Sequence, residues 1–265
     1  MQVEYNTLGE IMYYNHEIFN IYYKKYGNGK QNLIILPGWG DNRVTFDFII
    51  NNLKDYFTIY IFDYPGFGKT KFPNKHLEIF DYARVINDFL VDNNINNPII
   101  MGHSFGGRLI ILLSSIYKKH FQKIIFMDSA GIKNFSFKKT FRKYLYKFLK
   151  KLKFLFKDKE KYLKKLLSIF GSTDFKNIEV NMQKTFINIV NTNLIKYIKD
   201  INDETLIIWG TCDQETPYKD ALKFNKLIKN SYLIPISNSG HFPYLDYPYH
   251  VYNIIYEYLK DDLES

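Results

Sequence analysis

The chain has 265 residues, 46% of them hydrophobic, which is enough to bury a large core and favours one domain with an insertion. Its single cysteine, Cys212, excludes an internal disulfide framework. No apolar run approaches the roughly 20 residues of a membrane-spanning helix, and the N-terminus shows no signal-peptide pattern. We therefore expect a cytoplasmic protein.

Strand and helix patterns alternate through the first half of the chain. Residues 11–26 predict an opening hairpin around Asn15 and His16, and continuous apolar runs after it predict buried parallel strands. These strands cover residues 33–36, 58–62, 99–101 and 123–127, and the helices between them cover residues near 46–53, 79–93 and 107–119. Such alternation predicts an α/β fold with a mostly parallel central sheet flanked by helices.

The alternation stops near residue 132 and resumes near residue 203. Only helical patterning is visible between these positions, over residues 137–156, 158–170, 175–191 and 194–200. Further buried strands are predicted over residues 205–209 and 231–236. We therefore predict an all-helical cap, residues 132–202, inserted after the sixth strand of a core domain made of residues 1–131 and 203–265.

The stretch Gly102-His-Ser-Phe-Gly106 lies between a predicted strand and a predicted helix. A G-x-S-x-G sequence in this context is typical of a nucleophile elbow, whose sharp turn exposes the serine hydroxyl. Glycine neighbours let the strand and the helix approach each other closely around a strained serine. We predict Ser104 as the catalytic nucleophile.

A serine hydroxyl is a poor nucleophile until a base removes its proton, and an acid orients that base. His241 follows the last predicted strand and is the predicted base, because the other five histidines lie in the elbow, in a turn or on predicted helices. The predicted acid is Asp213, which follows the strand before it. Asp128, at the end of an earlier strand, is a rival for this role, and Glu215 is a weaker candidate.

The tetrahedral oxyanion of acyl transfer needs hydrogen-bond donors. We predict the backbone N–H of Phe105, directly after the nucleophile, and the backbone N–H of Trp39 in Pro37-Gly-Trp-Gly40. Side chains near the elbow, in the cap and beside the base are candidates for contact with substrate. They are Trp39, His103, Phe170, Phe175, Met182, Phe186 and Phe242.

Five motifs, taken in order, resemble those of the capped α/β hydrolases, a group that includes carboxylesterases, proline iminopeptidases, C–C bond hydrolases and haloalkane dehalogenases. They are Pro37-Gly-Trp-Gly40, Asp63-Tyr-Pro-Gly-Phe-Gly68, Gly102-His-Ser-Phe-Gly106, Trp209-Gly-Thr-Cys-Asp213 and Gly240-His241. The family usually has His-Gly where this chain has Pro37-Gly38. The resemblance implies an α/β-hydrolase fold and a Ser-His-Asp hydrolase. Serine at position 104 disfavours the chemistries that use a carboxylate nucleophile.

We therefore expect an enzyme that cleaves a small- or medium-chain carboxylic ester through an acyl-enzyme. No cofactor is expected, and no metal site is expected because no cluster of His, Cys, Asp and Glu has ligand spacing. Cleavage of a C–C or amide bond by the same triad stays open as an alternative. A non-catalytic receptor or scaffold is the least favoured alternative, because no triad member is replaced.

Positive charge is concentrated in residues 133–165. This segment carries 14 Lys and Arg against Asp158 and Glu160, so a net +12 lies there and −3 on the rest of the chain. Apolar spacing within residues 137–152 predicts a cap helix with a solvated lysine face. One alternative is weak contact of the segment with an anionic membrane. Another is contact with an acidic acyl-carrier protein, which a resemblance to pimeloyl-carrier methyl esterases implies. No nucleic-acid partner is expected, and the oligomeric state is left open.

Overall fold

A computed structural model describes residues 9–17, 19–41, 43–73, 75–133 and 182–263. Its strands form one sheet in the described part of the chain. They are β1 Glu10–His16, β2 Phe19–Tyr26, β3 Gln31–Leu36, β4 Phe57–Phe62, β5 Ile99–His103, β6 Ile124–Met127, β7 Thr205–Gly210 and β8 Ser231–Ile236. Their order across the sheet is β1-β2-β4-β3-β5-β6-β7-β8. Strand β2 pairs antiparallel with both β1 and β4, and the remaining pairs, from β4 to β8 across the sheet, are parallel. The predicted α/β fold is confirmed.

Helices follow most of the strands. A 3₁₀ turn at Arg43–Phe46 leads into α1 Asp47–Leu53, and the later helices are α2 Ile79–Asp92, α3 Phe105–Ser115, α4 Gln183–Asn191, α5 Ile195–Ile198, α6 Tyr218–Leu227, α7 Pro243–Asp246 and α8 Pro248–Leu263. Within the described residues, no helix has both the length and the apolar character needed to cross a membrane.

The sheet is covered by helices on both faces. Side chains alternate along each strand, so Ile34 and Leu36 of β3 belong to one core cluster while Leu33 and Ile35 belong to the other. Helices α2, α3 and α6 pack on the first face, and α1 and α8 pack on the second. Burial of both faces explains why the central strands are continuous apolar runs in the sequence.

Most of the predicted cap lies outside the described residues, which omit residues 134–181. The predicted helices 137–156 and 158–170 fall there. The described end of this region contains α4 and α5, and both helices pack onto the core. Thr185 on α4 accepts a hydrogen bond from the backbone N–H of Leu77 at 2.9 Å, and Arg108 on α3 donates to the carbonyl of Thr192 at 2.8 Å.

Candidate active site

Ser104 sits in the turn between β5 and α3. Its backbone has φ 47° and ψ −106°, a left-handed conformation that costs a residue with a Cβ about 1–3 kcal/mol. Ser104 is partly exposed, whereas every other residue from 101 to 110 is buried. The turn therefore strains one residue and presents its hydroxyl at the carboxyl edge of the sheet, as expected of a nucleophile elbow.

The flanking glycines are required by close contacts. A Cβ at Gly106 would collide with the carbonyl oxygen of Leu36 on β3. A Cβ at Gly102 would lie 2.6 Å from Cδ1 of Ile110 and 2.8 Å from the carbonyl carbon of Gly106. Because neither position has room for a side chain, α3 can start directly against the strands.

Backbone hydrogen bonds hold the elbow in place. The N–H of Ser104 donates to the carbonyl of Met127 at 3.1 Å. The carbonyl of Ser104 accepts from the N–H of Gly107 at 3.2 Å and from the N–H of Ala130 at 2.9 Å. The strained residue is thus fixed between the end of β6 and the first turn of α3, which is how a left-handed serine persists in a folded protein.

His241 and Asp213 are joined directly, although 28 residues separate them in sequence. Nδ1 of His241 lies 2.8 Å from Oδ2 of Asp213. Because the ionised carboxylate only accepts, this contact places the ring proton on Nδ1 and leaves Nε2 with a free lone pair. A base oriented in this way can accept a proton from a serine hydroxyl.

The carboxylate of Asp213 accepts several hydrogen bonds besides that of His241. Oδ1 accepts from the backbone N–H groups of Glu215 at 2.7 Å and Thr216 at 3.1 Å, and Oδ2 accepts from the Thr216 hydroxyl at 2.5 Å. Burial alone raises the pKa of Asp213, but the hydrogen bond and charge of His241, followed by the hydrogen bond from Thr216, outweigh it and lower the pKa below its ordinary value. Asp213 therefore stays ionised.

The two other acid candidates occupy different surroundings. Glu215 is exposed and contributes its backbone N–H to Asp213. Asp128 is fully buried, and its Oδ1 accepts from the N–H of Gly210 at 3.0 Å. Burial first, and then the neighbouring Asp213, raise the pKa of Asp128 to about 9.

The structure corrects the prediction that His103 contacts substrate. His103 is 1% exposed, and its Nε2 lies 2.8 Å from the backbone carbonyl of His241, to which it donates. Burial, and then the neighbouring His241, lower the pKa of His103 to about 3, so the ring stays neutral. The ring is therefore enclosed within the protein, where it supports the loop of His241.

Sequence reasoning missed two residues that support the loops of Asp213 and His241. Thr216 binds Asp213 through both its N–H and its hydroxyl, and the spacing Asp-x-x-Thr is a signal for such a local turn. Asp246 on α7 accepts from the Ser239 hydroxyl at 2.8 Å and from the Gly240 N–H at 2.9 Å. No sequence pattern distinguishes Asp246 from an ordinary surface acid.

The predicted oxyanion loop reaches the elbow. A Cβ built at Gly38 would lie 3.5 Å from Cβ of Ser104, so the backbone before Trp39 runs directly beside the serine. Phe105 is the first residue of α3, and the first N–H groups of a helix have no intrahelical partner. Both predicted donors therefore belong to segments that border Ser104.

Trp39 connects this loop to α4 through contacts between aromatic rings. Its ring centroid lies 5.3 Å from that of Phe105 and 5.4 Å from that of Phe186 on α4. Its Nε1 is buried and has no hydrogen-bond partner within the residues that the structure describes. The side chain is thus partly buried against other rings and partly exposed, and its indole N–H has no acceptor among these residues.

The remaining predicted pocket residues differ in their surroundings. Met182 is 3% exposed and packs against Gly66, whereas Phe242 is 37% exposed with its ring centroid 5.2 Å from that of His241. Phe170 and Phe175 lie outside the described residues.

Three groups of the site offer atoms that a metal ion could bind. Ligand atoms of Asp128, Asp213 and His241 all lie within 4.8 Å of one another. The hydrogen bonds described above account for this cluster, and we assign no metal to it.

Comparison with known proteins places the chain in a family. A family model described as alpha/beta hydrolase fold matches residues 31–248. A pimeloyl-[acyl-carrier protein] methyl ester esterase of Wigglesworthia glossinidia brevipalpis is 30% identical over 259 residues, covering 88% of this chain and 95% of that protein. A putative esterase/lipase 2 of Mycoplasma genitalium is 26% identical over 245 residues, covering 88% of this chain and 90% of that protein.

Solved structures agree at the level of the fold. An esterase from Exiguobacterium antarcticum superposes with a TM-score of 0.72 at 22% identity, covering 91% of this chain and 96% of that one. The match of the family model over more than half of the chain confirms the resemblance that the five motifs predicted. The chain belongs to the α/β hydrolase fold family.

Proposed function

We propose that the protein is a serine hydrolase that cleaves a small- or medium-chain carboxylic ester through Ser104, His241 and Asp213. The observation that carries this proposal is the 2.8 Å contact between Nδ1 of His241 and Oδ2 of Asp213, in a loop braced against the residue before Ser104. Relatives with printed names such as esterase and methyl ester esterase support the ester as the substrate class.

The mechanism has two chemical steps. His241 Nε2 takes the proton of the Ser104 hydroxyl as its oxygen attacks the ester carbonyl, and Asp213 stabilises the imidazolium that forms. The imidazolium then gives its proton to the departing alcohol oxygen, which leaves an acyl-enzyme. A water molecule, deprotonated by the same histidine, then attacks the acyl carbonyl. The imidazolium returns this proton to the Ser104 oxygen as the acyl bond breaks, which releases the carboxylic acid and restores the serine.

The negative charge of each tetrahedral intermediate needs donors beside Ser104. We assign this role to the backbone N–H groups of Trp39 and Phe105, and each such donor typically contributes about 2.7–4 kcal/mol to the transition state. The N-terminus of α3 adds a favourable electrostatic field at the same point. The residues of the chain supply these contributions without a cofactor.

We propose that residues 132–202 form a cap over this edge of the sheet, with Trp39, Met182, Phe186 and Phe242 at the pocket. The ring contact between Trp39 and Phe186 supports this placement. Phe170 and Phe175 stay candidates for the same pocket on sequence grounds, and the cytoplasm stays the proposed location.

A second candidate substrate is an acyl ester attached to a carrier protein. It is favoured by the relative whose name specifies a pimeloyl-[acyl-carrier protein] methyl ester, and by the net charge of +12 in residues 133–165. Carrier proteins of this kind are acidic, so a basic segment near the pocket would attract them.

The proposed function is tested by hydrolysis of p-nitrophenyl esters from acetate to palmitate, with Ser104→Ala as the comparison. We expect turnover that is highest for short or medium acyl chains and that falls at least about a thousandfold in Ser104→Ala, because the acyl-enzyme cannot form. Turnover that survives the substitution would contradict the proposed nucleophile.

A further inference from the structure

A second buried carboxyl group lies beside the Asp213–His241 pair. Asp128 is fully buried at the end of β6, and one oxygen of its carboxyl group lies within 4.8 Å of ligand atoms of both Asp213 and His241. Two ionised carboxylates this close in a buried site repel each other strongly. The pair therefore holds one proton at neutral pH.

The hydrogen bonds decide which carboxyl group holds the proton. Asp213 accepts from four donors, namely two backbone N–H groups, the Thr216 hydroxyl and His241. Asp128 accepts from the Gly210 N–H on Oδ1, while its Oδ2 is buried without a donor in the described part of the chain. The anion is better stabilised on Asp213, so the proton belongs on Asp128.

The backbone holds Asp128 firmly in this position. Its φ is 40°, a left-handed conformation that aspartate tolerates better than most residues. Its N–H donates to the carbonyl of Ile208 at 3.1 Å, and its own carbonyl oxygen lies 3.0 Å from the Thr216 hydroxyl, whose proton is directed to the nearer Asp213 carboxylate. The same threonine thus contacts both aspartates and fixes their relative placement.

We propose that Asp128 is a positioning residue that stays protonated during turnover and donates a hydrogen bond to the Asp213 carboxylate. The bond holds Asp213 toward His241 and weakens the attraction of Asp213 for a proton. This inference rests on the proposed function, because it assigns Asp213 as the acid of the triad.

The charged and titratable groups around Asp128 agree with a neutral side chain. Asp213 and His241 face it from the catalytic loops, and Asp246 and Tyr244 act on it from α7. Burial and the negative charges of Asp213 and Asp246 all favour the protonated form, while the Gly210 N–H alone opposes it.

The test compares Asp128→Asn with Asp128→Ala. Asparagine keeps an N–H donor where the carboxyl O–H stood, so we expect kcat/KM for p-nitrophenyl butyrate to stay within about threefold of wild type. Alanine removes the donor, and we expect kcat to fall on the order of tenfold with little change in KM. The acid limb of the kcat/KM profile should move to higher pH in Asp128→Ala, because Asp213 then holds a proton on His241 more strongly.

Asp262→Asn is the matched control. Asp262 is buried and pairs with Lys123 at 2.7 Å, at the opposite end of β6 from Asp128. Its substitution should lower stability and leave the pH profile in place, which separates a positioning effect from a general loss of folding.

Two kinetic results would overturn the inference. Equal loss of activity in Asp128→Asn and Asp128→Ala would mean that a negative charge at position 128 is needed. A wild-type rate and pH profile in Asp128→Ala would mean that the hydrogen bond has no role.

Infrared difference spectroscopy provides a readout independent of turnover and of the alanine variant. We expect a protonated carboxylic acid band near neutral pH in the wild type that disappears in Asp128→Asn, and its absence from the wild type would overturn the inference. Failure of the proposed function is distinguishable, because the wild type would then lack Ser104-dependent turnover whatever the infrared spectrum shows.

Discussion

Asp128 links the pH dependence of stability to the active site. Its pKa is raised by burial, and next by Asp213, from 3.8 to about 9. Between these values the unfolded chain releases the proton and the folded protein keeps it, so this group lowers stability as pH rises. Its stabilising contribution is complete below about pH 4 and is lost progressively up to about pH 9.

Asp128→Asn should remove this dependence, because the amide does not titrate. We expect the free energy of unfolding in urea of the variant, minus that of the wild type, to increase by on the order of 1 kcal/mol per pH unit between about pH 5 and 8, because only the wild type loses stability as pH rises. A difference that does not change with pH would mean that Asp128 is ionised in the folded protein.

Some residues of the site follow from the sequence and others do not. Ser104 and His241 stand in motifs whose spacing reflects a backbone requirement, and the structure places them in the expected turn and loop. The contacts of Asp246 and the proposed positioning role of Asp128 involve segments that are distant in the sequence, so local spacing does not reveal them. His103 is predicted at the pocket because it lies in the elbow motif, but its ring is buried and bonded to the loop of His241.

At the level of elements, the β5–α3 elbow contains a strained residue. Ser104 has a φ of 47° although it carries a Cβ. The strain of such a residue is about 1–3 kcal/mol, and glycine adopts the same conformation without it. The folded protein therefore tolerates a cost in stability at the position of the proposed nucleophile.

We expect Ser104→Gly to be more stable than Ser104→Ala by about 1 kcal/mol in urea unfolding, after allowing for the greater entropy of glycine in the unfolded chain. Ser114 within α3 is the control position, since there the alanine variant should be the more stable one. If the alanine variant were the more stable one at both positions, the result would contradict strain at the elbow.

The predicted and observed elements differ mainly at their ends. Apolar spacing placed the helix after the elbow at residues 107–119, whereas α3 covers Phe105–Ser115. Its start is set by the sharp turn at Ser104, and three residues beyond its last residue, Lys118 turns the chain with a φ of 52°. Periodicity reports which face of a helix is buried, but the terminal backbone conformations depend on local turn geometry.

For the whole molecule, charge is divided between the basic segment of residues 133–165 and a slightly acidic remainder. If an acidic carrier docks on this segment, the rate of hydrolysis of its ester should fall as ionic strength rises, because salt screens attraction between surface charges. The rate of hydrolysis of a small neutral ester should not change with ionic strength. This contrast separates the two substrate classes that we propose.

We expect kcat/KM for a carrier-bound methyl ester to fall roughly tenfold between about 50 and 500 mM salt, with little change for p-nitrophenyl butyrate. The triple variant Arg142→Gln, Lys143→Gln and Lys147→Gln should reproduce this loss at low salt. The control variant neutralises three exposed lysines of the core domain and should not reproduce this loss; its substitutions are Lys219→Gln, Lys226→Gln and Lys229→Gln. Equal effects of the two triple variants would assign the dependence to net charge alone.

Labelling of the folded protein by a fluorophosphonate, with the modified residue mapped by mass spectrometry, tests most directly whether Ser104 is a nucleophile activated by His241. We predict one adduct on the peptide that contains Ser104, absent in Ser104→Ala and strongly slowed in His241→Ala. The absence of an adduct in folded wild type, an adduct on another serine, or equal labelling of His241→Ala would contradict this account.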